Sequence, residues 1–211
     1  MKKSIALIFI LGIFAACSSE SKQSTNDVEV EPETIEQEQI EEETQEPIDM
    51  EYVVIETSKG NISLELDPNK APVTVANFLA YVDNGFYDGT VFHRVIDNFM
   101  IQGGGFTPDG ERKETRDPIV LESQNGLSND IGTIAMARTN APNSATAQFF
   151  INVKDNGFLN YAPGNPGYAV FGKVTSGMDV INEIRQVETG IKQGMQDWPN
   201  EDVVIVKASR E

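Results

Sequence analysis

The sequence predicts a mainly β domain, a closed antiparallel barrel of eight strands accompanied by two helices, behind a long non-globular N-terminal stretch. Three observations carry that expectation. From residue 51 onward, short runs rich in Val, Ile and Phe recur between clusters of Gly, Asn, Asp and Pro, the punctuation of strands joined by turns. Only two stretches show helical apolar spacing instead. The composition of the 211 residues changes near residue 50, leaving length for one globular domain plus appendages.

Residues 1–16 open with Lys2-Lys3, run apolar from Ile5 to Phe14 and close on Ala15-Ala16, the layout of a secretory signal. The run is too short for a typical membrane-spanning helix. Cys17, the only cysteine, follows directly. That placement resembles a bacterial lipoprotein cleavage site, in which the cysteine becomes the lipidated first residue, although Phe14 stands where such sites usually carry Leu. A stray thiol is the plainer alternative; signal context and position favour lipid attachment at Cys17. A single cysteine also excludes an intramolecular disulfide.

Residues 17–50 read as an acidic, disordered tether. Between residues 20 and 50 twelve acids face Lys22 alone, a net −11 of the formal −17, with no aromatic residue and no period. As a flexible coil it would reach roughly 30 Å, a spacer holding the domain off a membrane. No EF-hand spacing makes it a calcium loop. Residues 51–211 hold 21 acids against 13 Lys and Arg, a net −8, which lacks the basic footprint of nucleic-acid binding.

Within 51–211, Tyr52–Thr57 and Ile62–Leu66 flank a glycine-containing turn and predict a hairpin. Pro72, Val73, Val75, Ala76, Phe78, Leu79 and Val82 have helical spacing, with Asn84-Gly85 as the stop. Strands are expected over 91–96, 99–102, 133–137, 149–153, 169–174 and 203–208. Ser176 with Asp179 three residues on, then Val180, Ile181, Ile184 and Val187, predicts a second, capped helix ending near Gly190. Trp198 falls in an expected loop over 195–199 and reads as packing.

The chemistry concentrates in 92–106, Phe-His-Arg-Val-Ile-Asp-Asn-Phe-Met-Ile-Gln-Gly-Gly-Gly-Phe. It sets one guanidinium among apolar side chains, an amide and three glycines. An arginine held against Phe and Met surface is weakly hydrated, always charged, and offers a rigid fork of donors suited to a carbonyl. The glycines allow close approach or positive φ but lack the spacing of a pyrophosphate loop.

This run, together with Met136-Ala137-Arg138-Thr139, Gln148-Phe149-Phe150-Ile151-Asn152, Phe158-Leu159 and Val170-Phe171-Gly172-Lys173-Val174, resembles the cyclophilin family of peptidyl-prolyl cis-trans isomerases, in its bacterial branch. The resemblance implies a barrel with a helix plugging each end, an active groove on its outside, and long loops over 103–129 and 140–147 flanking that groove. It implies Arg94 as the catalytic donor. Phe99, Met100, Phe150 and Leu159 match the proline pocket, and Gln102 matches the amide that fixes Arg94 or a substrate carbonyl. Gln148 and Ala137 match the adjoining groove, and His93, the only histidine, matches the motif histidine. One histidine builds no histidine-based metal site and has no Ser or Cys partner for triad chemistry.

Three positions depart from well-known members of the family. Arg138 replaces the Asn common in eukaryotic members, Tyr168 a frequent His, and Phe158 the Trp of cyclosporin-sensitive members. Phe158 therefore offers no indole N–H, and weak cyclosporin sensitivity is expected. The resulting expectation is a monomeric, lipid-anchored isomerase of Xaa-Pro bonds in exported polypeptides that assists their folding and needs no metal or cofactor. The alternative is a proline-segment binding or holdase module.

Overall fold

The computed structural model describes residues 48–211; the expected signal, Cys17 and residues 17–47 of the expected tether lie outside the described residues. β1 (Glu51–Thr57) and β2 (Gly60–Leu66) form the expected hairpin. Their period-two pattern buries Val53, Ile55, Ile62, Leu64 and Leu66. The turn is locked by the Thr57 hydroxyl, which donates to the Gly60 carbonyl (2.7 Å) and accepts from the Lys59 N–H (3.1 Å).

α1 (Pro72–Asp83) begins on proline, whose missing N–H is no loss there. Ala71 before it supplies no side-chain cap. The carboxylate of Glu122, distant in sequence, accepts instead from the N–H groups of Val73 (3.0 Å) and Thr74 (2.8 Å) and from the Thr74 hydroxyl (2.7 Å). Phe78 carries the helix into the core, its ring centre 5.2 Å from those of Tyr87 and Phe171 and 5.6 Å from that of Phe149.

There follow β3 (Phe92–Ile96), β4 (Met100–Gly103), β5 (Thr133–Met136), β6 (Phe149–Asn152), β7 (Val170–Ser176), α2 (Met178–Ile184), β8 (Thr189–Lys192), β9 (Met195–Pro199) and β10 (Ile205–Arg210). Two local expectations fail. α2 is not capped by Ser176 and does not reach Gly190: it starts after Gly177 and stops at Ile184. Gly177 is required because its φ is 93° and a Cβ there would strike the Asn61 carbonyl. Residues 195–199 are a strand, because the chain after α2 folds into the β8–β9 hairpin.

The main sheet has the order β10-β1-β2-β7-β5-β6-β4-β3, every pairing antiparallel. It is an open half-barrel and not the closed barrel expected. The edges β3 and β10 share no ladder. They meet only where each begins: Val91 bridges Val204, the Phe92 N–H donates to Val203 (2.9 Å) and the Ile205 N–H donates to Thr90 (2.7 Å). Beyond that point β9 packs alongside β3.

The sheet carries apolar residues on both faces. The inner face, with α1 and α2, holds the main core, including Ile101, Ile134, Phe149 and Ile151. Alternation turns Met100, Ala135, Phe150 and Val170 outward, where Phe99, Ala137, Leu159 and Tyr168 partly cover them.

Candidate active site

The outward cluster is the floor of a cavity of about 300 Å³. Met100 and Phe150 lie at its base, with Phe99, Leu159 and Tyr168 on the walls. Arg94, Gln102, Ala137 and Arg138 complete the lining. Nine residues anticipated from sequence are thus brought together by three strands, β3, β4 and β6, and by the segments between strands that carry Phe99, Ala137, Arg138, Leu159 and Tyr168.

Arg94 reaches this face through a β-bulge. The β3–β4 register slips between Phe92 and Arg94, leaving His93 as the extra residue. Phe92 and Val95 both enter the inner core although three residues apart, which strict alternation forbids. The bulge absorbs the difference and turns Arg94 to the outside. Its guanidinium carbon stands 5.9 Å from the centre of the Phe99 ring, and its Nε lies 3.7 Å from the Asp197 carboxylate. Both members of that pair are about 40 % exposed, so it stabilises the fold little. It does hold one side of the fork, and Arg94 makes no other hydrogen bond or ion pair among the described residues.

Gln102 Nε2 donates to Gln148 Oε1 (2.9 Å), joining the cavity to a neighbouring one of about 180 Å³ in which Gln148 and Arg112 lie. Arg138 stands between the two: its Nε donates to the Gly167 carbonyl (2.9 Å), its Nη1 to the Thr139 carbonyl (2.8 Å), and the group lies 4.5 Å over the Tyr168 ring. Tyr168 meets Phe150 edge to face at 5.5 Å. Of the glycines after Gln102, Gly104 has φ 76°, while a Cβ at Gly105 would lie 2.6 Å from the Gln148 side chain.

Two anticipated residues sit elsewhere. His93 is not a groove contact: it is buried, its ring between Phe106 (4.7 Å) and Trp198 (6.0 Å), and its Nδ1 has no hydrogen-bond partner. Burial lowers its pKa to about 4, outweighing the backbone of Val91 and the amide of Gln148, which favour the charged form. Phe158 is 67 % exposed outside the cavity lining and stacks on Phe99 at 5.7 Å.

Sequence reasoning missed what holds the walls. Asn156 Nδ2 donates to the Phe99 carbonyl and to Asn152 Oδ1, each at 2.8 Å, and Asn152 Nδ2 donates to Thr133 Oγ1 (2.9 Å). Asn160 Oδ1 accepts from the N–H (2.7 Å) and the side-chain amide (3.0 Å) of Asn129. This amide network ties the loop bearing Leu159 to the turn bearing Phe99. Asp197 and Trp198 were missed as site neighbours; Trp198 is buried and donates through Nε1 to Asp202 (2.7 Å). The only signal was a run of Asn at 152, 156 and 160, spaced as if on a helix that does not form.

A cavity of this size with an apolar floor, stacked rings and one solvent-facing guanidinium can hold a small saturated ring and hydrogen-bond an adjoining carbonyl. Among the described residues no cluster of three or more His, Cys, Asp or Glu side chains forms a metal site.

Residues 52–210 match the family model described as cyclophilin type peptidyl-prolyl cis-trans isomerase/CLD. A peptidyl-prolyl cis-trans isomerase of Streptomyces antibioticus is 60% identical over 162 residues, 75% of this chain and 98% of that protein. Peptidyl-prolyl cis-trans isomerase B of Escherichia coli is 54% identical over 156 residues, 72% of this chain and 95% of its own length. Among solved structures, a Cryptosporidium parvum cyclophilin-type isomerase crystallised in the presence of the dipeptide Ala-Pro superposes with a TM-score of 0.66 at 28% identity, covering 76% of this chain and 98% of that one.

Proposed function

Because the chain belongs to the family of cyclophilin-type peptidyl-prolyl cis-trans isomerases, we propose that the outer-face cavity seats the proline ring of a polypeptide and that Arg94 is the residue on which turnover depends. The reaction breaks no covalent bond; its barrier of roughly 18–20 kcal/mol is the amide resonance lost as the C–N bond twists. Lowering an uncatalysed time of tens of seconds to milliseconds takes on the order of 6–7 kcal/mol.

The side chains supply this in two ways. The Phe99, Met100, Phe150 and Leu159 surfaces hold the pyrrolidine and exclude water, so that the carbonyl on the other side of the bond rotates against a fixed ring. The free donors of Arg94 face the bond. A twisted amide nitrogen is pyramidal and carries a lone pair that neither planar isomer offers, so a guanidinium donor there favours the transition state over both ground states. Gln102, fixed by Gln148, presents an amide beside Arg94 for the substrate carbonyl. Asp197 on the far side keeps the guanidinium from swinging into solvent.

The observation that carries this reading is a half-exposed arginine with unoccupied donors over an apolar, ring-sized cavity. The test is isomer exchange of a short Xaa-Pro peptide followed by NMR with residues 48–211. Arg94→Ala is expected to lower kcat/KM about 10- to 150-fold, the worth of one charge-assisted hydrogen bond, without lowering the unfolding midpoint. Undiminished turnover in the variant would remove Arg94 from the mechanism. Turnover lost from both proteins with peptide binding kept would make the domain a binding module.

The signal-like residues 1–16, Cys17 and the acidic stretch that follows support a further part of the proposal. The isomerase is exported, attached to a bacterial membrane through a lipid on Cys17, and acts as a monomer on exported chains as they fold.

A further inference from the structure

Resting on the reading of the groove as a proline-peptide site, we infer that the isomerase selects peptides carrying an acidic side chain within two or three residues of the proline, and that Arg112 reads that charge. The second cavity adjoins the first through three shared residues, Gln102, Ala137 and Arg138, so an extended peptide seated at the first places a nearby side chain in the second. Its remaining wall is formed by Phe106, the polar side chains of Thr139, Ser144, Thr146 and Gln148, and Arg112. No carboxylate lines either cavity.

The two arginines differ in what they have left to offer. Arg138 is committed to the carbonyls of Gly167 and Thr139. Arg112 is exposed and makes no hydrogen bond through its side chain and no ion pair among the described residues, although Asp109 and Glu111 lie close in sequence. It is held in place by its backbone, which bridges Phe106 across a tight turn. A peptide carboxylate in the cavity would take up the fork of donors that this guanidinium leaves open.

The preference runs against the charge of the molecule as a whole. Residues 51–211 carry a net −8, so unspecific attraction favours basic peptides, and only a local cationic site reverses that order. The experiment compares peptides with one proline and a Glu, Ala or Lys placed two or three residues to either side. Turnover and binding are measured with residues 48–211 at low and high salt. For at least one placement Glu is expected to exceed Ala by about 3- to 10-fold in kcat/KM and in affinity, with Lys lowest and the order flattened by salt. Arg112→Glu should invert the Glu-to-Lys ratio.

Equal handling of the three peptides at every placement, or a Lys preference in the wild type, overturns the inference and leaves the isomerase reading intact. Absence of turnover on every peptide overturns the isomerase reading, and the affinity order then decides the charge preference alone. An unchanged ratio in Arg112→Glu removes Arg112 as the reader.

Discussion

His93 shows how far a residue can serve a site without touching it. Its ring fills the space between Phe106 and Trp198 behind the bulge that turns Arg94 outward, and it is kept neutral there. With a folded pKa of about 4 against 6.5 in the unfolded chain, the unfolded form takes up a proton over that window and the folded form does not. The stability that the neutral ring permits is therefore complete above pH 6.5 and is lost as the pH falls towards 4, by on the order of 3 kcal/mol. Urea unfolding at pH 7 and pH 4.5 should show a steeper loss in the wild type than in His93→Gln; parallel losses would mean that the ring is not buried uncharged. Turnover between pH 6 and 8 should be flat, because Arg94 keeps its charge throughout.

At the scale of elements, the strands were legible because each is a short β-branched or aromatic run closed by turn residues, and the groove was legible because its residues cluster in a few recognisable motifs. What stayed hidden depends on contacts between distant segments. Nothing local in Gln196-Asp197-Trp198-Pro199 says that it pairs with Thr189–Lys192 and brings a carboxylate to Arg94. α2 ends early because the β8–β9 hairpin claims the residues after it, overriding a continuing apolar period. The open seam escaped notice because a strand count cannot tell whether the first and last ladders meet. The asparagine network belongs to the same class and is testable: Asn156→Ala removes donors to the Phe99 carbonyl and to Asn152. It is expected to cost roughly 1–3 kcal/mol in urea unfolding and to raise KM, since Phe99 and Leu159 lose a common brace. Unchanged stability and KM would show that the loop is held by packing alone.

For the molecule as a whole, charge is divided unevenly, with net −11 between residues 20 and 50 and −8 beyond. A stretch of that charge is repelled by an anionic surface. The proposed anchor is then the sole attachment. In the full chain, with residues 1–16 included, Cys17→Ser should move the protein from the membrane pellet to the soluble fraction, whereas 1 M salt should not release the wild type, since on the order of 1 M suffices to screen ionic attachment; a wild type already soluble would end the anchoring proposal. The pairing of β1 with β10 has a separate consequence. Val53 lies opposite Arg210, and the Glu211 N–H donates to the Tyr52 carbonyl at 3.0 Å. Whatever precedes residue 51 and whatever is joined after residue 211 therefore leave from one spot, about a strand spacing apart. Such a body can be spliced as a cassette into a surface loop of another protein without prising that loop apart, or be permuted by joining these two positions and cutting elsewhere.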